Sequence, residues 1–313
     1  MSDNVKPKFV TCKFTGLHGT KLCGRLNREY VYQYSLRGIA EVQDIIINYT
    51  SKYDMDIHGP YFEKEGIKNI IDVEYDLTQS PYHARIDAIK DLHPEYHTNV
   101  GWTHRNTEIM WGKYLFMEEQ LQKLDDDDYL FFTDCGLSHG GIIAQRFNPL
   151  SKDPAYFRDE KPEEMKQEPS HRNDLIFNKN FSKRLEKLAG DKIMVIASIS
   201  DPHGDDLGFT YENHLRRWPC AGLWGGKKKM LLPFIQEFKR LADKILTSER
   251  LVKEESIMAV ILNEHEDWFN IAWAFSTWYH PDWNVNQNGN IVYNPELVSF
   301  CSFFDMLNQI NID

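Results

Sequence analysis

A chain of 313 residues with 42% apolar side chains is long enough for one large domain or two modest ones and can bury a core, which excludes a disordered chain. Its formal charge of −11, from 47 acidic against 36 basic residues with no long Lys/Arg tract, argues against a duplex nucleic-acid partner, whose phosphates demand a basic face. The five cysteines, Cys12, Cys23, Cys135, Cys220 and Cys301, are scattered and never form CxxC, so they read as reduced thiols and not as a disulfide frame or zinc site.

The opening MSDNVKPKFV has no apolar segment of signal-peptide length, and no run approaches the roughly 20 residues of a membrane span. From Met1 onward the expectation is a soluble, cytoplasmic protein. Phe9 to Phe14, FVTCKF, alternates like a first strand. A glycine-containing loop from Gly16 to Gly24 follows, then a helical spacing through REYVYQYSLRGIAEV and a buried second strand at Asp44 to Tyr49. Strand, helix and strand in this order predict helices packed on a parallel sheet.

Lys52 to Lys64 reads as a loop rich in turn formers, and Lys68 to Tyr75 as a third strand. Ser80 and Pro81 suit the cap and first position of a helix, SPYHARIDAIKDL. His93 to Arg105 is a polar loop, and Asn106 to Leu124 a helix whose Ile109, Leu115 and Phe116 give it a core face. Lys113 on that helix is read either as a solvated lysine or as one directed at the exit of the next strand.

That next strand is the centre of the sequence. In LDDDDYLFFTDCGLSHGG, Tyr129 to Phe132 form a continuous apolar run behind an acidic turn, as a buried parallel strand does, and Asp134 stands just past its end. Open α/β sheets bind ligands beyond the carboxyl ends of their strands, although an aspartate there also serves simply to cap a turn. Asn148 to Ser170 carries four prolines and many charges with no apolar period, and reads as a surface excursion or lid. A helix ending at Gly190 and a strand at Lys192 to Ile199 come next.

PCAGLWGGKKKMLLPF places Gly225 and Gly226 ahead of a long amphipathic helix, where free amides, the helix dipole and Lys227 to Lys229 would favour an anion or a closely packed sugar. A second helix, EESIMAVILNEH, opens on Glu254 and Glu255, which the dipole favours whether or not they have another role. The aromatic tail holds His280 in TWYHPDW, either structural or a metal ligand. Oxygen ligands with one imidazole suit Mg²⁺ or Mn²⁺ bridging a diphosphate. No P-loop, GxGxxG, HExxH or GxSxG occurs, which leaves a nucleotide-sugar transferase.

This layout resembles a GT-A glycosyltransferase. More closely, YLFFTDCGLSHGG, preceded by a helix with Trp111 and Lys113 and followed by AGLWGGKKK, is similar to the HtrL/YibB-type family of bacterial surface-polysaccharide loci. The resemblance implies one α/β domain over 1–313 with a Rossmann-like mixed, mainly parallel sheet flanked by helices. Its nucleotide-sugar-binding half would cover about 1–145 and its acceptor half about 146–313, with a mobile loop near 148–170. It implies transfer from a nucleotide-sugar, UDP-sugar favoured, to a glycan or glycolipid acceptor, with a divalent cation, Mn²⁺ or Mg²⁺, held by Asp134 and His280.

Asp134 takes the place of a carboxylate in the Asp-x-Asp motif of such enzymes, but Cys135 and Gly136 follow it, so the second carboxylate is missing. The resemblance further implies that Gly225 and Gly226 line the donor, with Lys113 beside them. Thr11 and Lys13, just past the first strand, and Tyr49 and Thr50, just past the second, would receive the nucleobase and ribose. Glu255, with Glu254 as rival, would be the catalytic carboxylate of an inverting or a retaining reaction. Two other readings stand beside it: a non-catalytic carbohydrate-binding or assembly protein on the same scaffold, and a nucleotidyltransferase using GLHGTKLCGR as its loop.

Overall fold

The computed structural model describes residues 6–14, 36–93, 104–135, 180–199, 217–273, 284–285, 291–292 and 312. Four strands, β1 (Phe9–Lys13), β2 (Ile46–Thr50), β3 (Ile70–Glu74) and β4 (Tyr129–Thr133), run parallel. Beyond β4 lie β5 (Ile193–Ile199), β6 (Arg217–Lys227) and β7 (Phe269–Trp273), giving one sheet of order β3-β2-β1-β4-β6-β5-β7. Only β6 runs against its neighbours, pairing antiparallel with β4 and β5. A separate two-stranded ladder joins β8 (Asn284–Val285) to β9 (Ile291–Val292). The mixed, mainly parallel sheet flanked by helices is the fold class that the sequence predicts.

The central strands are buried on both faces because helices cover both. Strand alternation puts Val10, Leu130 and Phe132 on one face, under α3 (His104–Leu121), α5 (Lys228–Thr247) and α6 (Glu254–Glu264). Trp111, Tyr114, Trp224, Phe234 and Phe238 fill that layer, with Tyr114 and Phe238 stacked 11° from parallel. Phe9, Ile46 and Phe131 face the other way, toward Leu36 and Ile39, toward Phe62 of α1 (Lys52–Glu65) and toward Phe181 of α4 (Phe181–Ala189). A short helix, α2 (His83–Ile89), follows a 3₁₀ turn at Leu77–Gln79 whose start Asp76 caps.

Two elements differ from the sequence reading. The segment expected as a loop after β2 is the helix α1, capped by Ser51, whose Oγ accepts from the Asp54 amide, and ended by Gly66 at φ 69°. Its buried residues are Asp54, His58 and Phe62, one per turn, so its inner stripe is largely polar and gives no hydrophobic period. The second difference is β6, an eleven-residue strand that takes in all of PCAGLWGG. The expected surface loop 148–170 lies outside the described residues.

Candidate functional site

β2 and β3 extend from one side of β1 and β4 from the other, so the strand order reverses between β1 and β4. In such sheets the crevice beyond that reversal is where ligands sit. Asp134 occupies it: its amide donates to the Gly222 carbonyl of β6 at 2.7 Å, which continues the ladder one step, and its side chain is 41% exposed. From α3, the fully buried Lys113 reaches the same point across the Phe132 ring, 5.0 Å from the ring centroid. Its Nζ lies 3.0 Å from Asp134 Oδ1 and 3.2 Å from Glu254 Oε1. Lys113 is therefore not a solvated helix lysine but an ammonium held between two carboxylates. Burial works against that charge, yet Asp134 and Glu254 outweigh it and keep the lysine pKa well above its ordinary value.

The first turn of α6 brings Glu254 and Glu255 to this end of the sheet, where the helix dipole favours them. Glu254 is buried against Lys113. Glu255, half-buried, has its pKa pushed up to about 8 by burial and by the charge of Glu254, against the opposing pull of Lys113, Lys253 and a hydrogen bond from the Ala221 backbone. Two thiols border the group. Burial pushes Cys12 and Cys220 up to about 12, so neither is a thiolate nucleophile at neutral pH. Sequence reading named Asp134, Lys113, Glu254 and Glu255 separately, and the structure gathers them at one strand end.

The residues expected at the nucleobase and ribose lie within strands, and their side chains are buried. Thr11, Lys13 and Thr50 point under α1, on the face away from Lys113. There Lys13 Nζ meets Asp54 Oδ1 at 3.1 Å with both side chains excluded from solvent. His58 Nε2 lies 3.0 Å from Asp72 Oδ1, and its Nδ1 is 3.5 Å from Lys13 Nζ. The Nε2–H tautomer satisfies both contacts, donating to Asp72 and accepting from Lys13. Asn48 adds a second donor to Asp72, and Thr50 Oγ1 donates to the Lys13 carbonyl at 2.7 Å. Asp54 and His58 were missed because a polar helix stripe resembles a loop, and their i, i+4 spacing is the signal that would have found them; Asp72, on the recognised strand β3, has a partner that only the pairing of α1 with the sheet reveals.

Tyr49 cannot serve as a base-stacking platform. Its side chain is fully buried, its ring stacks on Phe116 with centroids 4.3 Å apart and planes 9° from parallel, and its hydroxyl accepts from Gln120. Gly225 and Gly226 are likewise away from Asp134. They pair with Phe131 and Leu130 near the start of β4, so Gly226 is about 13 Å of strand away from Asp134. Glycine is required there by close packing, because a Cβ on Gly225 would lie 2.4 Å from the Leu130 carbonyl oxygen and one on Gly226 2.6 Å from that of Lys192. Lys227 and Lys229 share that far end and pair with Asp127, with Lys227 also on Asp191.

His280 lies outside the described residues. The described residues at Asp134 do not form a donor set for a divalent ion, since Asp134 Oδ1 and Glu254 Oε1 both address the Lys113 ammonium. Among the described residues, Glu237, Glu264 and His265 do bring ligand atoms within 4.8 Å of one another. They sit at the opposite end of α6 from Glu254, and Glu237 is already paired with Arg240.

No family model and no curated protein matches the chain, so the HtrL/YibB-type likeness stays a resemblance. Among solved structures, the chain is similar to 4-diphosphocytidyl-2C-methyl-D-erythritol synthase from Anaerococcus prevotii, at 15% identity and TM-score 0.40 over 86% of this chain and 87% of that one. It is also similar to mouse xyloside xylosyltransferase 1 in its apo form, at 9% identity and TM-score 0.36 over 87% of this chain and 88% of that one. No helix of the described residues is long and apolar enough to cross a membrane.

Proposed function

We propose that the protein transfers a sugar from a nucleotide-sugar, with a UDP-sugar favoured, to a hydroxyl of a glycan or glycolipid acceptor. The observation that carries this reading is the group at the crevice: three carboxylates, Asp134, Glu254 and Glu255, around one buried ammonium. A glycosyl centre becomes cationic as its bond to the leaving phosphate breaks, and fixed carboxylates stabilise such a centre.

Glu255 is the proton acceptor of the reaction. With a pKa near 8 it is basic enough to take the acceptor hydroxyl proton yet partly ionised at neutral pH. The acceptor oxygen then bonds to the anomeric carbon, and the electron pair of the broken carbon–oxygen bond leaves with the nucleoside diphosphate. Asp134 faces the crevice, and Glu254 and Lys113 hold it in place.

The test is to incubate wild type and Glu255→Gln with a panel of UDP-, GDP- and CMP-sugars and, separately, with nucleoside triphosphates and a sugar phosphate, and to identify what is released. Release of a nucleoside diphosphate from a sugar donor, reduced about 10²- to 10⁴-fold in Glu255→Gln, is the expected result. Pyrophosphate release from a nucleoside triphosphate would replace the reading with nucleotidyl transfer. Sugar-nucleotide binding without turnover would replace it with a binding protein.

A further inference from the structure

We propose that Lys113 holds the position a divalent cation would need between Asp134 and Glu254, so that this pair is an ammonium-bridged, metal-free carboxylate pair, and that removing the ammonium opens a divalent-cation site there. Two carboxylate oxygens from separate elements, Asp134 Oδ1 past β4 and Glu254 Oε1 on α6, converge on one point. Convergence of oxygens is what a hard cation requires. The point is filled by Nζ, at 3.0 and 3.2 Å, which are distances of charge-assisted hydrogen bonds and not of metal coordination.

Among the described residues the ammonium is held on both sides: Lys113 is 1% exposed, and its Nζ lies over the Phe132 ring between α3 and β4. A metal entering at Asp134 would leave a positive charge stranded in that layer, beside the incoming one, and both effects oppose binding. The ordinary exchange of a surface lysine for a metal is therefore closed here, because a surface lysine can turn into water.

Without the ammonium the balance reverses. Asp134 and Glu254 would face each other as two unpaired carboxylates, one half-exposed and one buried, and a divalent ion would relieve their repulsion and supply the missing charge. The substitution Lys113→Met keeps most of the stem's volume over Phe132 while deleting the charge.

The inference rests on the transferase reading only for the reaction that the pair serves, and its metal readout is separate. Mn²⁺ is titrated into wild type, Asp134→Asn, Lys113→Met and the Lys113→Met/Asp134→Asn double variant, with free Mn²⁺ followed by electron paramagnetic resonance. Wild type and Asp134→Asn are expected to bind Mn²⁺ alike, any uptake at Glu237, Glu264 and His265 being common to both. Lys113→Met is expected to gain one site, about tenfold or more tighter than anything in wild type, that the double variant loses. A wild-type site that disappears in Asp134→Asn, or no gain in a folded Lys113→Met, overturns the proposal. If Lys113→Met does not fold, Lys113→Gln takes its place, and the wild-type and Asp134→Asn comparison decides by itself. Donor turnover that persists in excess chelator agrees with the inference, whereas absence of turnover with the metal result intact overturns only the transferase reading.

Discussion

At the scale of single residues, Glu255 makes the account testable by pH alone. Its folded pKa, about 8, is raised above the ordinary carboxylate value, so between those two pH values the folded chain holds a proton that the unfolded chain has released. Its contribution to stability is full below the unfolded pKa and is lost as pH rises through about 8. Glu255→Gln should flatten that decline, and urea titrations from pH 5 to pH 9 measure it. Lys113→Met should lower stability by about 3–5 kcal/mol, because Glu254 is left buried without its partner. Tyr49→Ala should cost about 3–5 kcal/mol as a cavity substitution and leave the nucleotide affinity of the folded fraction unchanged. Asp134 was legible because an apolar run ending in an acid marks a strand exit. Tyr49 was misread because an aromatic at the end of a buried strand has the same sequence signature whether it meets a base or Phe116.

At the scale of elements, the two networks behave differently. Lys13 and Asp54 form a pair with no exposed side-chain surface, so removing either partner leaves the other's buried charge uncompensated, although Lys13 keeps His58 and Asp54 keeps the Ser51 hydroxyl. Lys13→Met and Asp54→Leu should each destabilise by about 3–5 kcal/mol, and the double variant by less than either, which a double-mutant cycle in urea would show. Gly225→Ala should destabilise strongly, since the Leu130 carbonyl oxygen and the Phe131 backbone in β4 cannot yield as a flexible side chain would. Helices α3 and α5 were readable from their apolar spacing, and α6 from the apolar run behind its two glutamates. Helix α1 was not, because Asp54 and His58 occupy its inward face to serve Lys13 and Asp72, and Gly59 and Pro60 interrupt it. Strand β6 was obscured by the glycines that its close neighbours require, which look like a turn in sequence.

At the scale of the molecule, the sheet order sets where chemistry is possible. Parallel β1 and β4 end together at the point of reversal, and antiparallel β6 carries its own beginning there, while its glycines and the lysines that follow point to the far end. Direction of a strand is invisible in a local sequence window, which is why GLWGGKKK was expected beside a bound donor and instead stands at the far end of β4 from Asp134. The approach of α6 to that same end brings Glu254 and Glu255 to Asp134 across more than a hundred residues of chain, a contact that only topology reveals. The most direct measurement is calorimetric titration of UDP-, GDP- and CMP-sugars into wild type and Asp134→Ala. One sugar nucleotide is expected to bind wild type and to lose about tenfold or more in affinity in the variant. Equal affinity for both proteins would contradict a donor site at the crevice between β1 and β4.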